Sequence, residues 1–439
     1  MTESKRIEQR KVVVIGGGFA GLWAVRKLAQ APVDITLIDR SNHHLFQPLL
    51  YQVATAGLAA PSIAAPLRHV LRDQRNVTVI MGEVDAIDTA ARSVRCGQRD
   101  LPYDYLLVAT GATHAYFGHD AWAPAAPGLK TLDDAFVIRH RILVAFEQAE
   151  TATSEAERDA CLTFAVIGGG PTGVELAGTL AEIARHTMPR DFRHIDSRRT
   201  RVLLIEAGPR VLSTFAEELS TKAKAALEKL GVEVRLGAPV TRIEDGTLTF
   251  GGQTLSARTV LWAAGVAASP LGKLLVSQAG VGEIDRAGRV HVAPDLSLPG
   301  HPEIFVAGDL ASVRQDGIPV PGVATAAKQM GNSVGENIAA RVAGKTTRPF
   351  VYKDYGALAT IGRNLAVVQL PKFKMSGFFA WWFWLLIHVF FLIGFRNRII
   401  VLINWAWAYF SYTRGARIIL GNETGLIDNG SKEESRSEK

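Results

Sequence analysis

Two segments of this 439-residue chain repeat one pattern, and the repetition constrains the fold more than any other feature. Each begins with an apolar run of strand length, passes through a Gly-x-Gly-x-x-Gly turn into a helix-period stretch, and ends in a second apolar run closed by an acid. The first segment starts at Lys11 and the second at Leu162. This is the βαβ pattern of dinucleotide-binding folds, so we predict an α/β protein with two Rossmann-like domains.

The first glycine motif has the residues that a dinucleotide needs, in the expected order. Gly16 permits the tight turn out of the strand, Gly18 lets the backbone approach a pyrophosphate, and Gly21 allows the helix to pack closely on the sheet. The helix N-terminus offers free N–H groups to the phosphates. Asp39 closes the next strand, where an acid accepts hydrogen bonds from an adenosine ribose.

The second motif repeats this arrangement with Gly168, Gly170 and Gly173, and Glu206 is its closing acid. An acid at this place repels the 2′-phosphate of NADP, so the second site should prefer NAD. Two dinucleotide sites in one chain indicate two nucleotides that exchange electrons. The simplest interpretation is a flavin in the first site and a visiting NADH in the second, with hydride passing between their rings.

The excess positive charge lies in one C-terminal segment. The chain has 49 Lys and Arg against 42 Asp and Glu, a formal net charge of +7. No acid occurs between Tyr355 and Asn422, whereas seven bases do, so the remainder of the chain is neutral with 42 of each. Because a nucleic-acid-binding domain spreads its bases over a folded face, this distribution argues against a nucleic-acid partner.

The same segment is rich in aromatic residues, with 14 in the 35 positions of residues 378–412 against 8% in the whole chain. We predict apolar helices near residues 377–395 and 399–412, interrupted at Arg396–Arg398. Aromatic and basic residues together are typical of a lipid headgroup boundary, which predicts a membrane anchor. Hydropathy favours a span for the first helix, whereas a position in the membrane surface, or a buried core or dimer helix, is the alternative.

Few other residues carry chemistry of their own. Cys96 and Cys161 are 65 positions apart and predict neither a disulfide nor a metal site, so we interpret both as packing residues. His388, within the apolar stretch, is either a proton or quinone contact or a side chain facing a partner helix. The hydrophilic N-terminal residues predict no secretory signal and a cytoplasmic main body.

These motifs together resemble a known family. The two glycine turns, Ala109–Gly111 after a hairpin, and Val306–Asp309 match the two-dinucleotide-binding-domain flavoproteins. Within that group the chain resembles the type II NADH dehydrogenases, single-subunit NADH:quinone oxidoreductases that do not pump protons. Phe46–Gly57 resembles their segment beside the flavin, and Ala324–Gly331 resembles their quinone-site helix. The resemblance covers nearly all of residues 11–420.

The resemblance implies roles for particular residues. Asp309 would hydrogen-bond the ribityl–pyrophosphate region of FAD, and Thr110 and Gly111 would line the same cofactor. Glu175 would lie near the nicotinamide and flavin rings; its alternative interpretation is an acid in the first turn of a helix, favoured by the helix dipole.

The quinone motif of the family is Ala-Gln-x-Ala-x-Gln, and this chain departs from it at one position. Ala324 and Gln329 match, whereas Thr325 replaces the first glutamine. Gln329 is a quinone contact or an ordinary packing residue. Lys328 is a further site candidate beside a hydrophobic acceptor, or it extends to solvent.

We predict a discontinuous FAD-binding domain (residues 1–125 and 290–348), an NADH-binding domain (126–289) and a membrane-anchoring region (349–439). The predicted enzyme transfers electrons from NADH through FAD to a membrane quinone, at the cytoplasmic face of the bacterial inner membrane. It uses no metal, pumps no protons and is a possible homodimer. The alternatives are a sulfide:quinone oxidoreductase, which needs reactive cysteines near the flavin, and a flavin-bearing redox sensor or scaffold without significant turnover.

Overall fold

A computed structural model describes residues 9–244, 246–411 and 414–419. The α-helices within those residues, named in chain order, are α1 (Phe19–Lys27), α2 (Leu50–Ala54), α3 (Leu67–Val70), α4 (Leu132–Thr151), α5 (Glu155–Cys161), α6 (Pro171–Glu182), α7 (Glu217–Lys229), α8 (Leu271–Ala279), α9 (Ala324–Val342), α10 (Phe378–Phe391) and α11 (Phe395–Ser411).

The first glycine motif follows the Arg10–Ile15 strand of a six-stranded sheet. In spatial order its strands are Ser297–Leu298, His301–Val306, Tyr105–Val108, Arg10–Ile15, Val33–Asp39 and Val77–Met81. All neighbours are parallel except the first pair. Ile15 pairs with Ile38 and Val108, so the chain leaves all three strands at one edge. Gly16, Asp39 and the residues after Val108 therefore meet at that edge.

The second glycine motif follows a strand of a separate four-stranded sheet. All of its strands are parallel, in the order Val232–Arg235, Arg201–Ile205, Thr163–Ile167 and Thr259–Trp262. Ile167 pairs with Ile205 and Trp262, which repeats the register of the first sheet. The predicted α/β class with two Rossmann-like domains is confirmed.

Antiparallel strands complete the two domains. Each sheet has an accompanying three-stranded meander: Val84–Asp88, Ser93–Cys96 and Arg99–Pro102 beside the first, and Val240–Glu244, Thr247–Phe250 and Gln253–Ser256 beside the second. The two-stranded pairs are His43–Leu45 with Ala64–Pro66, Ala112–His114 with Val266–Ala268, Val290–His291 with Ala311–Ser312, and Arg314–Gln315 with Ile318–Pro319.

The C-terminal region begins with the antiparallel strands Ala357–Thr360, Ala366–Leu370 and Phe373–Gly377 and continues into α10 and α11. The inner face of α10, including Ala380 and Trp384, joins the same buried cluster as the second domain. No helix in the described part of the chain is both long and apolar enough to cross a membrane.

The break between these two helices differs from the prediction. It lies between Phe391 and Phe395, and the segment predicted to interrupt the helices, Arg396–Arg398, belongs to α11. The physical reason is that Leu392 leaves the helical conformation, with φ of −65° and ψ of +134°, and that Gly394, with φ of +89°, then turns the chain into α11. Tyr412, the predicted end of the second helix, lies outside the described residues.

Candidate active site

The first glycine turn has a tightly packed inner side and an open outer side. Gly16 has φ of +102°, and a Cβ there would overlap the backbone of Ala109. A Cβ on Gly21 would overlap the carbonyl oxygen of Gly16, whereas Gly18 has open space around it. The open space beside Gly18 therefore leaves room for a pyrophosphate at the N-terminus of α1.

Asp39 lies beside this turn and is held by backbone groups. Its carboxylate accepts hydrogen bonds from the N–H groups of Gly17 at 2.6 Å and Ser41 at 2.7 Å. A carboxylate has about four acceptor positions, so two backbone donors leave capacity for ribose hydroxyls.

Two buried polar atoms near this turn have no hydrogen-bond partner among the described residues. They are the hydroxyl of Thr110 and Nε2 of His44, whose Nδ1 donates to the carbonyl of Gly17 at 3.0 Å. Such groups are costly to bury unless something hydrogen-bonds them. Gly111, next to Thr110, has φ of +66°, and the space that a Cβ would occupy there is open. This surface fits a cofactor with many polar groups such as FAD.

Asp309 reaches the same area from the far side of the domain. It follows Gly308, whose N–H points at Sδ of Met330 in α9 at 3.3 Å. Its carboxylate lies 3.7 Å from the ammonium of Lys130, which immediately precedes the cap of α4. The pair links the first domain to the start of the second domain's helices.

The second glycine turn reproduces the first. Gly168 has φ of +109°, a Cβ on Gly173 would overlap the Gly168 carbonyl, and Gly170 faces open space. Glu206 accepts hydrogen bonds from the N–H groups of Gly169 at 2.5 Å and Gly208 at 2.6 Å. This is the same acid-to-turn contact that Asp39 makes with Gly17.

Glu175 lies in the second turn of α6, and the interpretation as a first-turn acid is wrong, because that turn contains no acid. The carboxyl is buried, and burial raises its pKa to about 8, opposed by a hydrogen bond from the Thr360 N–H. Glu175 is therefore largely protonated at neutral pH and suited to donate a proton.

The residues assigned to the quinone by resemblance lie at the start of α9 and contact the segment before the C-terminal sheet. The Gln329 amide donates to the carbonyl of Lys353 at 3.0 Å and accepts from its N–H at 2.9 Å. Thr325 hydrogen-bonds the hydroxyl of Tyr352, and Ala324 is the first residue of the helix. Gln329 thus has a packing role whether or not a quinone also contacts it.

Lys328 does not extend freely to solvent. Its ammonium lies 5.0 Å from the ring centre of Trp23 and 5.3 Å from that of Phe391. Burial, followed by the nearby charge of Arg26, lowers its pKa. The lysine thus connects α9 and α1 to the end of α10 through cation–π contacts.

His388 faces the interior of the molecule. Nδ1 donates to the Trp384 carbonyl at 2.7 Å, the ring stacks on Trp384 at 4.2 Å, and its edge meets Phe46 at 6.3 Å. Burial lowers its pKa to about 4, so the ring is neutral at pH 7.

Sequence reasoning missed a cavity of about 130 Å³ between the second domain and the C-terminal helices. Its lining includes Tyr51, Glu182, Trp384 and Arg414. Glu182 lies seven residues after Glu175, so a second acid on the same face of an apolar helix was a usable signal. The contribution of Arg414 had no local signal, because it depends on how the chain folds back after α11.

The cysteines are buried and separate. Cys96 belongs to the core cluster of the first domain and Cys161 to that shared by the second domain and the C-terminal region. Burial raises the pKa of Cys161, so it is a poor nucleophile. In the described residues no cluster of His, Cys, Asp and Glu could hold a metal ion.

Comparison with solved structures supports the same fold. The structure of NDH2 from Plasmodium falciparum in complex with NADH aligns with a TM-score of 0.83 at 20% identity, covering 94% of this chain and all of that one. A sulfide:quinone oxidoreductase from Aquifex aeolicus aligns with a TM-score of 0.69 at 19% identity, covering 92% of this chain and 96% of that one. At these identities the likeness shows the fold alone.

Sequence comparison identifies the family. The pyridine nucleotide-disulphide oxidoreductase family matches residues 10–331, and the NDH2 C-terminal domain matches residues 355–411. Type II NADH:quinone oxidoreductase Ndh of Mycobacterium tuberculosis is 48% identical over 419 residues, covering 93% of this chain and 89% of the relative. The Staphylococcus aureus enzyme is 31% identical over 380 residues, covering 84% and 92%. The chain therefore belongs to the type II NADH:quinone oxidoreductase family, as its motifs predict.

Proposed function

We propose that this enzyme transfers electrons from NADH through FAD to a membrane quinone without pumping protons. The observation that carries the proposal is the duplicated glycine turn with its closing acid. Gly17 with Asp39, and Gly169 with Glu206, form the same acid-closed turn at equivalent edges of two parallel sheets. One turn serves the flavin nucleotide and the other serves NADH.

The residues of the chain have distinct tasks. The first turn, with Thr110 and Asp309, binds and orients FAD, which when bound accepts hydride and passes on electrons singly or in pairs. Glu206 accepts hydrogen bonds from the adenosine ribose of NADH, so that the nicotinamide reaches the neighbourhood of Glu175. Glu175 supplies a proton there, because its raised pKa keeps it protonated at neutral pH. Gln329 and Lys328 contact the segment before the C-terminal sheet and the end of α10, and this side of α9 is the proposed quinone site.

The membrane is proposed as the source of the quinone. Exposed apolar side chains recur every three or four residues on both C-terminal helices: Phe378, Phe379, Trp382, Leu386 and Phe390 on α10, and Phe395, Ile399, Ile403, Trp407 and Phe410 on α11. This periodicity gives each helix one exposed apolar side and one side against the protein. Such helices bind in the plane of a bilayer surface, which supports attachment to the membrane surface; the proposed side is the cytoplasmic face.

Anaerobic mixing tests the proposed electron transfer. NADH added to the FAD-loaded protein should bleach the flavin absorbance, and a short-chain quinone added next should restore it. Failure of either step would contradict the proposal. Proteoliposomes with a potential-sensitive dye should show no membrane potential during turnover, and mass measurement in detergent tests the predicted homodimer.

The sulfide:quinone alternative is less consistent with the site. That chemistry needs accessible thiols, whereas the side chains of Cys96 and Cys161 lie in two different buried clusters. A variant with both cysteines replaced by alanine should keep its NADH oxidation.

A further inference from the structure

One face of α6 has a row of polar side chains in an otherwise apolar setting. Glu175, Thr179 and Glu182 are spaced four and three residues apart, so they lie on the same side of the helix. Seven residues of helix span about 10 Å. Glu175 and Thr179 are buried, whereas Glu182 borders the cavity at the C-terminal end of the helix.

Tyr51 of α2 faces this row. The tyrosine is 4% exposed, and its hydroxyl accepts a hydrogen bond from the Gln52 amide at 2.9 Å. Burial raises the pKa of Tyr51 most, and the charges of Glu175 and Glu182 both raise it further. The hydroxyl therefore lies within electrostatic reach of both carboxyls.

The far end of the row is fixed by a cation from the C-terminal region. Arg414 lies 3.6 Å from Glu182, with the two side chains 16% and 17% exposed, and it donates to the carbonyl of Thr55 at 3.0 Å. The N–H of Arg363 also donates to the Glu182 carboxylate. Burial raises the pKa of Glu182, against the opposing charges of Arg414, Arg363 and His186. These contacts hold one acid at the cavity wall.

The cavity itself suits water. A volume of about 130 Å³ exceeds the roughly 10–15 Å³ that one water needs by this measure, and carboxylate, guanidinium and hydroxyl groups line it. The indole N–H of Trp384, which is 2% exposed and also lines the cavity, has no hydrogen-bond partner in the part of the chain that the structure describes. Arg363 and Tyr409, both half-buried, also line the cavity, and the guanidinium carbon of Arg363 lies 4.3 Å from the centre of the Tyr409 ring.

The proposed reaction requires such a route. NADH delivers two electrons and one proton as hydride, whereas a quinol has gained two electrons and two protons. Each turnover therefore takes one proton from water, and an apolar quinone path is a poor route for it. We infer that the cavity is the proton entrance of this enzyme, with Glu182 and Tyr51 passing protons from cavity water to Glu175.

The transfer is balanced at each step. When Glu175 gives its proton to the quinone oxygen, it becomes a carboxylate. Glu182 takes a proton from cavity water that exchanges with solvent and passes it to the Tyr51 hydroxyl, which at the same time gives its own proton to Glu175, so that no phenolate forms. Arg414 is a positioning residue, because it acts only by holding Glu182.

The exchange of the Glu175 carboxyl proton tests this inference without turnover. Infrared spectra of the FAD-loaded full chain, recorded below pH 7 after transfer to D₂O, follow the shift of the protonated carboxyl band, which Glu175→Gln identifies. Tyr51→Phe and Glu182→Gln should each slow the exchange about tenfold or more. Exchange at the native rate in Tyr51→Phe would overturn the route, and this variant decides the matter if Glu182→Gln does not fold.

Matched controls separate the route from general effects. Tyr103→Phe removes the hydroxyl of another tyrosine that is 4% exposed, and Glu228→Gln removes an exposed acid paired with Lys224 at 2.6 Å. Both should exchange at the native rate; slowing equal to that of Tyr51→Phe would overturn the inference.

Turnover gives a second readout, which rests on the proposed function. The Tyr51→Phe variant should reduce quinone more slowly than the native protein, and the solvent deuterium isotope effect on that step should be larger. The rate at which NADH bleaches its flavin should be the native one. Glu182→Asp should recover part of the rate lost in Glu182→Gln. If the native protein fails to reduce quinone, the proposed function is wrong, whereas the exchange experiment still decides the proton route.

Discussion

We propose that Glu206 determines which nicotinamide nucleotide the second site accepts. Its carboxylate is fixed by the N–H groups of Gly169 and Gly208, at the place where the proposed ribose contact would be made. Glu206→Arg replaces repulsion of a 2′-phosphate by attraction, so the ratio of kcat/KM for NADPH to that for NADH should rise about tenfold or more. Glu206→Gln is the control, since it removes the charge and keeps the shape. An unchanged ratio in the arginine variant would show that this acid does not read the ribose.

Glu175 makes stability depend on pH. Its folded-state pKa of about 8 lies above the ordinary carboxyl value, so its contribution is fully present at low pH and is lost as the pH rises towards 8. Each unit of pKa difference corresponds to about 1.4 kcal/mol. As the pH rises from 5 to 9, the melting temperature of Glu175→Gln should therefore increase relative to that of the native protein. A difference between the two proteins that stays constant with pH would contradict the raised pKa.

Individual site residues differ in how far the sequence predicts them. The glycines and their closing acids follow from the βαβ pattern, because Gly16 and Gly168 must adopt positive φ and pack against backbone. The contact between Glu182 and Arg414 joins positions 232 apart along the chain, and no local pattern encodes it. Glu175 likewise accepts a hydrogen bond from the backbone of Thr360, a residue of the C-terminal sheet.

At the scale of elements, α9 and the segment before the C-terminal sheet behave as one unit. Gln329 and the backbone of Lys353 exchange two hydrogen bonds. Gln329→Ala should raise the KM for quinone several-fold and spare ferricyanide reduction. Lys353→Pro removes the N–H that Gln329 accepts from. If it reproduces the effect, Gln329 acts by positioning the segment; a native KM in Lys353→Pro with a raised KM in Gln329→Ala would indicate direct contact with the quinone.

The outer sides of α10 and α11 should determine membrane binding. Leu386 and Ile403 are 59% and 62% exposed, so a charge there leaves the core intact but opposes insertion into the interface. Leu386→Glu combined with Ile403→Glu should move the protein from sedimented vesicles to the supernatant. Ile318→Glu, at a residue 70% exposed in a hairpin of the main body, is the control. Continued sedimentation of the double variant would place the anchor elsewhere.

The helix break shows what composition alone misses. Periodicity predicts two apolar helices, whereas charge suggested the wrong position for the break. The first helix ends where Leu392 becomes extended, Gly394 turns the chain into the second helix, and Arg398 donates to the carbonyl of Leu392 at 2.9 Å. A basic residue near a helix end is thus a partner of that end and not its cause.

At the scale of the whole molecule, the basic C-terminal segment forms ion pairs with the second domain, in addition to its proposed role in binding lipid. Arg414 pairs with Glu182, Arg417 with Asp191, and Lys374 with Glu218. Three of the seven bases therefore bind acids of the body, which a charge count along the sequence cannot distinguish from bases facing anionic lipid. The pairing explains how the segment closes the cavity beside α6.

The C-terminal region should accordingly be necessary for a stable body. A chain ending at Pro371 loses the Phe373–Gly377 strand, the buried face of α10 and the hydrogen bond from Trp405 to Gln52. Loss of one buried Trp or Phe side chain costs about 3–5 kcal/mol, so losing a whole face should lower the melting temperature markedly and produce aggregation. A chain ending at Ile419 keeps these contacts and should melt like the native protein. A soluble, natively melting chain ending at Pro371 would show that the region is only an anchor.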